Sequence, residues 1–361
     1  MSSTWGKNIK LSIFGESHAP AIGMVLDSFP AGLHIDMEEL AKHTVRRTSR
    51  NTDISTPRQE KDIPEFVSGI VNDTTCGTPI CAVIRNKDTR SQDYGRFSGI
   101  ARPGHADYTG WLKYNGFNDP RGGGHFSGRL TAPLVLAGGI CKQYLAQKGI
   151  IVSAHIKSIA NIQDDSFDAV NAQPQLYSEL AERDFSVINT EQGEKMIQAI
   201  HQARENKDSL GGVIECIAVG IPAGLGSPIF DTIEGCLAKL LFAIPAVKGV
   251  EFGNGFAAAQ ITGSQNNDTF YVDETQNIKT TTNNHGGVLG GITSGMPVIV
   301  RAAFKPTPTI GKEQQTVDYI QKTSAVVEGK GRHDPCIVPR AVVCVESAMA
   351  LAITDVLLGN N

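Results

Sequence analysis

Residues 329–336 read Gly329-Lys330-Gly331-Arg332-His333-Asp334-Pro335-Cys336, and an apolar run with the composition of a helix covers residues 341–358. The middle of this stretch places a cation, an imidazole and a carboxylate in succession. The flanking glycine and proline restrict the backbone of such a turn, and a helix behind it would provide a rigid platform. The stretch is therefore either a solvated loop, as most charged turns are, or part of a buried site.

Two earlier stretches combine the same residue types. Phe14-Gly15-Glu16-Ser17-His18 and Arg102-Pro103-Gly104-His105-Ala106-Asp107 each join glycine, histidine and charge at the end of a predicted element. Three such clusters in one chain favour a single pocket over three unrelated loops.

The bulk composition indicates a mixed α/β enzyme. A chain of 361 residues with 40% hydrophobic residues can bury a large core, and its 38 glycines with only 6% aromatic residues suit many turns and long active-site loops. We find no repeat, linker or domain boundary, so residues 1–361 are interpreted as one domain. The net charge of -4 argues against a nucleic-acid partner.

The arginines are concentrated in loops rich in glycine, proline and serine. Their planar guanidinium groups match carboxylate and phosphate geometry, so they predict a small anionic ligand. The basic residues concerned are Arg46, Arg47, Arg50, Arg58, Arg102, Arg121, Arg129, Lys305 and Arg332.

The cysteines and the N-terminus indicate a cytoplasmic protein. The seven cysteines are odd in number and form no C-x-x-C motif, which is typical of reduced core thiols. No signal-peptide pattern or obvious transmembrane run is present, so neither secretion nor a membrane partner is expected.

A nucleophile elbow is one alternative at the first cluster. Residues 10–14 and 21–27 are predicted strands, and the five residues from Gly15 to Ala19 nearly match the motif G-x-S-x-G. That motif would make Ser17 a hydrolase nucleophile, but it requires a helix after the serine. Here Pro20 and a β-like run follow.

Two loops carry open alternatives. Asp36 is a predicted helix N-cap, and the helix should run to about Arg47 before a polar loop over 48–58. Arginines at its end either complement the helix dipole or belong to a lid over an anion.

The glycine triplet in Arg121-Gly122-Gly123-Gly124-His125 is either an anion cradle that opens the following helix or a tight packing turn. Residues 163–186 are interpreted as a surface excursion.

Across its motifs the chain resembles the chorismate synthase family nearly from end to end. The resemblance rests on FGESH at 14–18, RSQDY at 90–94, RPGHADYT at 102–109, RGGG at 121–124, PAGLG at 222–226, AVKGVEFG at 246–253, GGVLGGITSG at 286–295, FKPTPTI at 304–310 and GRHDPC at 331–336.

The resemblance implies a carbon–oxygen lyase that ends the shikimate pathway of aromatic amino acid biosynthesis. It converts 5-enolpyruvylshikimate 3-phosphate to chorismate by 1,4-anti elimination of phosphate and a ring proton, and it requires reduced FMN. It also implies a β-α-β sandwich and a homotetramer, with no metal. Because the chain has no dinucleotide fingerprint, we expect NADPH to act only indirectly, through an external flavin reductase.

The site residues follow position by position from the resemblance. It implies catalytic roles for His18, His105 and Asp334, with Asp334 kept ionised by Arg332. Substrate contacts are implied for Ser17, Arg47, Arg102 and Arg129. Flavin contacts are implied for His125, Phe126, Ser127, Ala246, Gly290, Lys305, Pro306, Thr307, Pro308, Thr309 and Arg332.

Several positions depart from the family pattern. Ala19 replaces a glycine, and His125, Phe126 and Leu130 replace an arginine, a serine and a glutamate beside the implied flavin contacts. Asp53 stands where the family has a second loop arginine, for which Arg50 and Arg58 are the candidate substitutes. A flavin-binding protein without the family's activity is therefore the other alternative.

Overall fold

Two antiparallel sheets with a layer of helices between them form most of the described protein. The computed structural model describes residues 3–48, 54–55, 62–87, 99–329 and 334–360. Its strands are β1 Thr4–Trp5, β2 Lys10–Gly15, β3 Ala21–Asp27, β4 Pro64–Ser68, β5 Ile70–Val71, β6 Thr74–Thr75, β7 Ile80–Arg85, β8 Ile151–Ile159, β9 Ile162–Gln163, β10 Gly212–Val219, β11 Val247–Phe252, β12 Phe270–Val272, β13 Ile278–Thr280, β14 Val288–Leu289, β15 Ile292–Thr293, β16 Val298–Phe304, β17 Glu313–Asp318 and β18 Thr323–Glu328. Its helices are α1 Met37–Val45, α2 Asp107–Lys113, α3 Thr131–Ala146, α4 Pro174–Glu182, α5 Thr190–Glu205, α6 Ile233–Leu241, α7 Gly263–Asn266 and α8 Val338–Leu358.

The strand order defines the two layers. Sheet one runs β1-β2-β3-β7-β4 and sheet two runs β11-β16-β10-β8-β9, with every neighbouring pair antiparallel. Separate two-stranded sheets are formed by β5 with β6, β12 with β13, β14 with β15, and β17 with β18.

The central layer is built on α3 and α8. Both helices are apolar on almost every face and are buried, as expected for helices that contact neighbours all round. Helix α3 contacts β2 and β3 of sheet one, α8 contacts β8 and β10 of sheet two, and the two helices pack on each other. Gly138 permits this approach, because a Cβ there would lie 2.2 Å from the Cβ of Ser347. The predicted β-α-β sandwich is confirmed.

Helix α8 is long and apolar enough to cross a membrane by composition alone, but its residues from Ala341 to Asp355 are buried inside the protein. It is a core helix. Near its end the Asp355 carboxylate accepts hydrogen bonds from the backbone N–H groups of Lys7, Asn8 and Ile9, which fixes the entry to β2.

The local predictions agree closely for the elements that lead to the site. Strands β2 and β3 lie at the predicted residues, and the Asp36 side chain caps α1 by accepting from the Glu39 N–H at 2.9 Å. The surface interpretation of residues 163–186 holds for most of the segment, whose residues are largely exposed or half-buried, but it missed a helix. That segment contains α4, whose Tyr177 and Leu180 are buried with Ile217 on the outer face of sheet two.

Candidate active site

The turn between β2 and β3 carries Ser17 and His18, and both are buried. The Ser17 N–H donates to the Gly124 carbonyl oxygen at 3.1 Å, which ties this turn to the glycine triplet. Strand β3 follows the turn, so the helix that a nucleophile elbow requires is not there. The structure therefore removes the main support for a hydrolase.

The glycine triplet lies against both predicted catalytic histidines. A Cβ on Gly122, whose φ is 59°, would lie 2.1 Å from ring atoms of His18. A Cβ on Gly123 would lie 3.1 Å from the His105 ring. The two imidazoles therefore pack on successive glycines, and only residues without side chains fit between them.

The anion-cradle prediction for this triplet was wrong in one respect. The glycines all have positive φ and form a non-helical turn within Arg121–Phe126, whereas α3 begins only at Thr131. The triplet does not open that helix, and the tight-packing alternative describes it better.

His105 is oriented by a residue that the sequence analysis did not single out. The Asp107 carboxylate lies 2.9 Å from His105 Nδ1 and accepts from the Arg102 side chain at 2.7 and 2.8 Å. With the Nδ1 proton donated to Asp107, the Nε2 atom lies on the side of Gly123. Burial alone would raise the pKa of Asp107, but hydrogen bonds from Arg102 and His105 hold that pKa far below its ordinary value.

A cleft adjoins these groups. Its lining contains Arg102, a predicted substrate contact, and His105, a predicted catalytic residue. The other lining residues are Ala106, Asp107, Asn118, Asp119, Pro120, Gly123, Phe126 and Tyr319. Phe126 therefore lies at the cleft. His125 does not appear in its lining, since its Nδ1 donates to the Gly15 carbonyl oxygen at 2.8 Å and its Nε2 lies 3.0 Å from the Ser3 hydroxyl.

Two predicted substrate cations, Arg47 and Arg129, meet on one carboxylate. Asp62 accepts from both guanidinium groups, with Arg47 Nε at 2.9 Å, and all three side chains are buried. Arg129 also donates to the Asn86 side-chain oxygen at 2.9 Å. Burial would raise the pKa of Asp62, but the two arginines outweigh it and the pKa lies below its ordinary value.

The Asp334 carboxylate is held from two sides. Ser55 Oγ donates to Oδ1 at 2.8 Å, and Arg340 Nη1 donates to Oδ2 at 2.8 Å. Arg332, which the resemblance places beside Asp334, lies outside the described residues, as do Arg50, Asp53, Arg58 and the RSQDY motif. Most of the predicted lid over 48–58 lies outside them as well.

The segment Lys305–Thr309 lies next to the loop that carries Gly104 and His105. A Cβ on Gly104 would lie 3.2 Å from Pro308 Cβ and 3.8 Å from Lys305 Nζ, while the Lys305 N–H donates to the Ala246 carbonyl oxygen at 3.0 Å. Burial lowers the pKa of Lys305, and Lys248 lowers it further. The Thr307 hydroxyl is buried and has no hydrogen-bond partner among the described residues. A ligand that presents a polar group to this segment would satisfy this hydroxyl.

The other predicted flavin contacts are more scattered. Ser127 Oγ accepts from the Arg129 N–H at 3.2 Å and starts a short 3₁₀ turn. Gly290 lies in the turn between β14 and β15, beside the start of α6, and nothing lies within 4 Å of the position of a Cβ there. The space allows close approach of a ligand, but the described contacts do not link Gly290 to the histidines.

Comparison with known proteins decides the family. A protein-family model described as chorismate synthase matches residues 9–358. The chain belongs to the chorismate synthase family.

Individual relatives agree over the whole chain. A chorismate synthase of Dehalococcoides mccartyi is 46% identical over 358 residues, covering 99% of this chain and 97% of the relative. One from Korarchaeum cryptofilum is 45% identical over 351 residues, covering 97% and 96%. A crystal structure of chorismate synthase superimposes with a TM-score of 0.78 at 31% identity, over 98% of this chain and 93% of that one. Membership of the chorismate synthase family, which the motifs predict, is thus confirmed, and it identifies the chain as an enzyme.

Two residues that organise this chorismate synthase site, Asp62 and Arg340, had no role in the sequence analysis. Arg340 offered a signal, since it is a lone charge in the first turn of an apolar helix. Asp62 follows an unpatterned polar loop and offered none.

Proposed function

We propose that this enzyme converts 5-enolpyruvylshikimate 3-phosphate to chorismate and requires reduced FMN. The observation that carries the proposal is the pair of imidazoles, His18 and His105, on successive glycines, with the buried Arg102 at 3.2 Å from the His105 ring. An anionic substrate with two carboxylates and a phosphate matches such a set of cations.

In this proposal the chain's own groups stabilise the charge that develops as phosphate departs. The ring C–H bond breaks with its proton passing to a base, and its electron pair forms a C=C bond to the adjacent ring carbon. The existing ring double bond shifts to the carbon that bears phosphate, whose C–O bond breaks with its electron pair on phosphate. Preorganised guanidinium groups and a protonated imidazole stabilise a departing anion in a site from which water is excluded. Asp107 supports that role by fixing the ring of His105.

Asp334 is the group that we assign to removal of the ring proton. Its two oxygens are each engaged by a hydrogen-bond donor, Ser55 and Arg340, which holds the carboxylate in a defined orientation. A positioned acid–base group of this kind contributes roughly 10²–10⁴-fold to a rate.

Reduced FMN would be held by Lys305, Thr307, Ala246 and their neighbours, as the buried Thr307 hydroxyl suggests. When bound, it would supply the electron density that helps phosphate to leave. The proposal includes no metal, as the family resemblance implies.

We also propose the domain organisation, the oligomeric state and the location of the enzyme. We expect a single domain, since α3 and α8 join the two sheets in one core. We also expect a cytoplasmic homotetramer whose FMN is reduced by an external flavin reductase that uses NADPH. Light scattering of the purified protein would measure the oligomeric state.

The decisive experiment measures phosphate release from 5-enolpyruvylshikimate 3-phosphate under anaerobic conditions without nicotinamide. The enzyme is supplied with oxidised FMN in one sample and chemically reduced FMN in the other, and chorismate absorbance is followed in parallel. Release only with reduced FMN, matched by chorismate, is the expected result. FMN binding without release in either sample would instead support a flavin-binding protein, whose departures at His125 and Phe126 have abolished the activity.

A further inference from the structure

Arg340 joins the two halves of the candidate active site through one guanidinium group. Its Nη1 donates to Asp334 Oδ2 at 2.8 Å, and its Nε donates to the backbone carbonyl oxygen of Arg47 at 3.0 Å. Asp334 is the proposed proton acceptor, and Arg47 is a predicted substrate cation. A single side chain therefore sets the position of one relative to the other.

The guanidinium is carried by a buried core helix. Arg340 lies in the first turn of α8, and that helix is buried from Ala341 to Asp355. The end of α1 is attached to the same helix a second time, because Arg46 pairs with the buried Glu346 at 2.8 Å. Groups held by a buried helix keep their geometry better than groups held by loops.

The chemistry of this junction requires an arginine. The planar guanidinium presents several N–H donors in fixed directions, so it can bind a carboxylate and a carbonyl oxygen at once. A lysine ammonium supplies the same charge from a single point and cannot hold both acceptors in one orientation. Charge and orientation are therefore separable by substitution.

We propose that Arg340 is a positioning residue for proton removal, which fixes the Asp334 carboxylate relative to the substrate held at Arg47. This inference rests on the proposed function. Arg340 acts through Asp334, so its loss should slow the proton-removal step and leave binding of substrate and flavin nearly unchanged.

The experiment compares Arg340→Lys and Arg340→Ala with Asp334→Asn under anaerobic conditions with reduced FMN. We expect kcat of both Arg340 variants to fall roughly 10–100-fold with KM changed less than about threefold, as expected when a transition-state interaction is lost. Substrate deuterated at the ring carbon that loses its proton should show a larger isotope effect on kcat than in the wild type. Added guanidinium should restore part of the rate of Arg340→Ala and none of the rate of Asp334→Asn.

Arg301 provides a matched control. It also binds a carboxylate, that of Glu215 at 2.8 Å, and a carbonyl oxygen, that of Gly253 at 2.8 Å, with the Glu251 carboxylate farther away at 3.4 Å. Its side chain is as exposed as that of Arg340, at 23%. It lies on β16 in sheet two. Arg301→Lys should keep the wild-type kcat and isotope effect, which separates positioning from a general loss of packing.

Three results would overturn the inference. These are an Arg340→Lys kcat within twofold of the wild type, a loss expressed only in KM, or an unchanged isotope effect. If Arg340→Ala does not fold, Arg340→Lys decides the question alone. A wild-type enzyme that releases no phosphate refutes the proposed function and this inference together, whereas normal wild-type turnover with unaffected variants refutes only the inference.

Discussion

Replacing Asp62 by asparagine should destabilise the free enzyme and strengthen its binding of an anionic substrate. Asp62 is 5% exposed and accepts from Arg47 and Arg129, which are each 5% exposed as well. Asp62→Asn keeps the shape of the side chain and removes its charge. Two buried guanidinium groups would then share a neutral amide.

The magnitude follows from this burial. Removing one partner of a buried ion pair costs roughly 3–5 kcal/mol, because the remaining charge is left uncompensated. We expect the free energy of unfolding to fall by an amount in this range at neutral pH. Because the pKa of Asp62 is lowered in the folded protein, its contribution is complete above the ordinary aspartate pKa and is lost as the pH falls through the lowered value.

Substrate should reverse part of this loss. Its carboxylates or phosphate would supply the missing negative charge at Arg47 and Arg129, so the variant should bind it about 5–10-fold more tightly, a gain of roughly 1 kcal/mol of ligand stabilisation. The assay is urea unfolding with and without 5-enolpyruvylshikimate 3-phosphate, in the absence of reduced FMN so that no turnover occurs.

Asp231→Asn is the control, because Asp231 pairs with Lys7 at 2.8 Å on the exposed surface. Its unfolding should be nearly that of the wild type with and without substrate. An unchanged stability of Asp62→Asn, or equal stabilisation of wild type and variant by substrate, would refute the reasoning.

Three further predictions concern the same site and the core behind it. Gly122→Ala places a methyl group 2.1 Å from the His18 ring at a φ of 59°, so kcat should fall at least about tenfold and stability by roughly 1–3 kcal/mol, measured by turnover and by urea unfolding. Asp107→Asn removes a charged partner 2.9 Å from His105 Nδ1; the loss of roughly 1.5–3 kcal/mol should slow single-turnover phosphate release about 10–150-fold, and an unchanged rate would contradict this role. Burial raises the pKa of Glu346, but two neighbouring cations outweigh it and lower that pKa to about 2 from 4.5, so wild-type stability should decline between pH 4.5 and 2. In Glu346→Gln that part of the decline should be absent from unfolding curves recorded across this pH range.

Local pattern predicted the elements that frame the site. The strands on either side of Ser17 are short runs rich in apolar residues on both sides of a turn, and Asp36 stands three residues before the Glu39 N–H that it caps. Both signals lie within a few residues of the structure that they specify, so a single sequence contains them. Helix α4 was not predicted, for the opposite reason. Its burial depends on a sheet face whose strands come later in the chain.

The site was predictable in its motifs but not in its connections. The motifs predicted the histidines and Asp334 as site residues. They did not predict the groups that orient His105 and Asp334, which are Asp107, Arg340 and Ser55. Ser55 lies 279 residues before Asp334 in the chain. Arg340 lies in helix α8, whereas Asp334 lies before that helix begins. No periodicity of the sequence relates either residue to Asp334. Only the fold brings a polar residue of an unpatterned loop to a carboxylate nearly three hundred residues later.

The position of α8 in the chain has a consequence for synthesis on the ribosome. Helix α8 follows all eighteen strands of the described residues, and it supplies the apolar surface on which β8 and β10 are packed. During translation sheet two emerges before the helix that packs on it, so its inner face stays largely uncovered until that last helix is available. Partly synthesised chains that expose such surface are prone to aggregate. We therefore expect a nascent chain stalled before Val338 to depend on chaperones, and the carboxylate of Asp334 to reach its final position only when core assembly is complete.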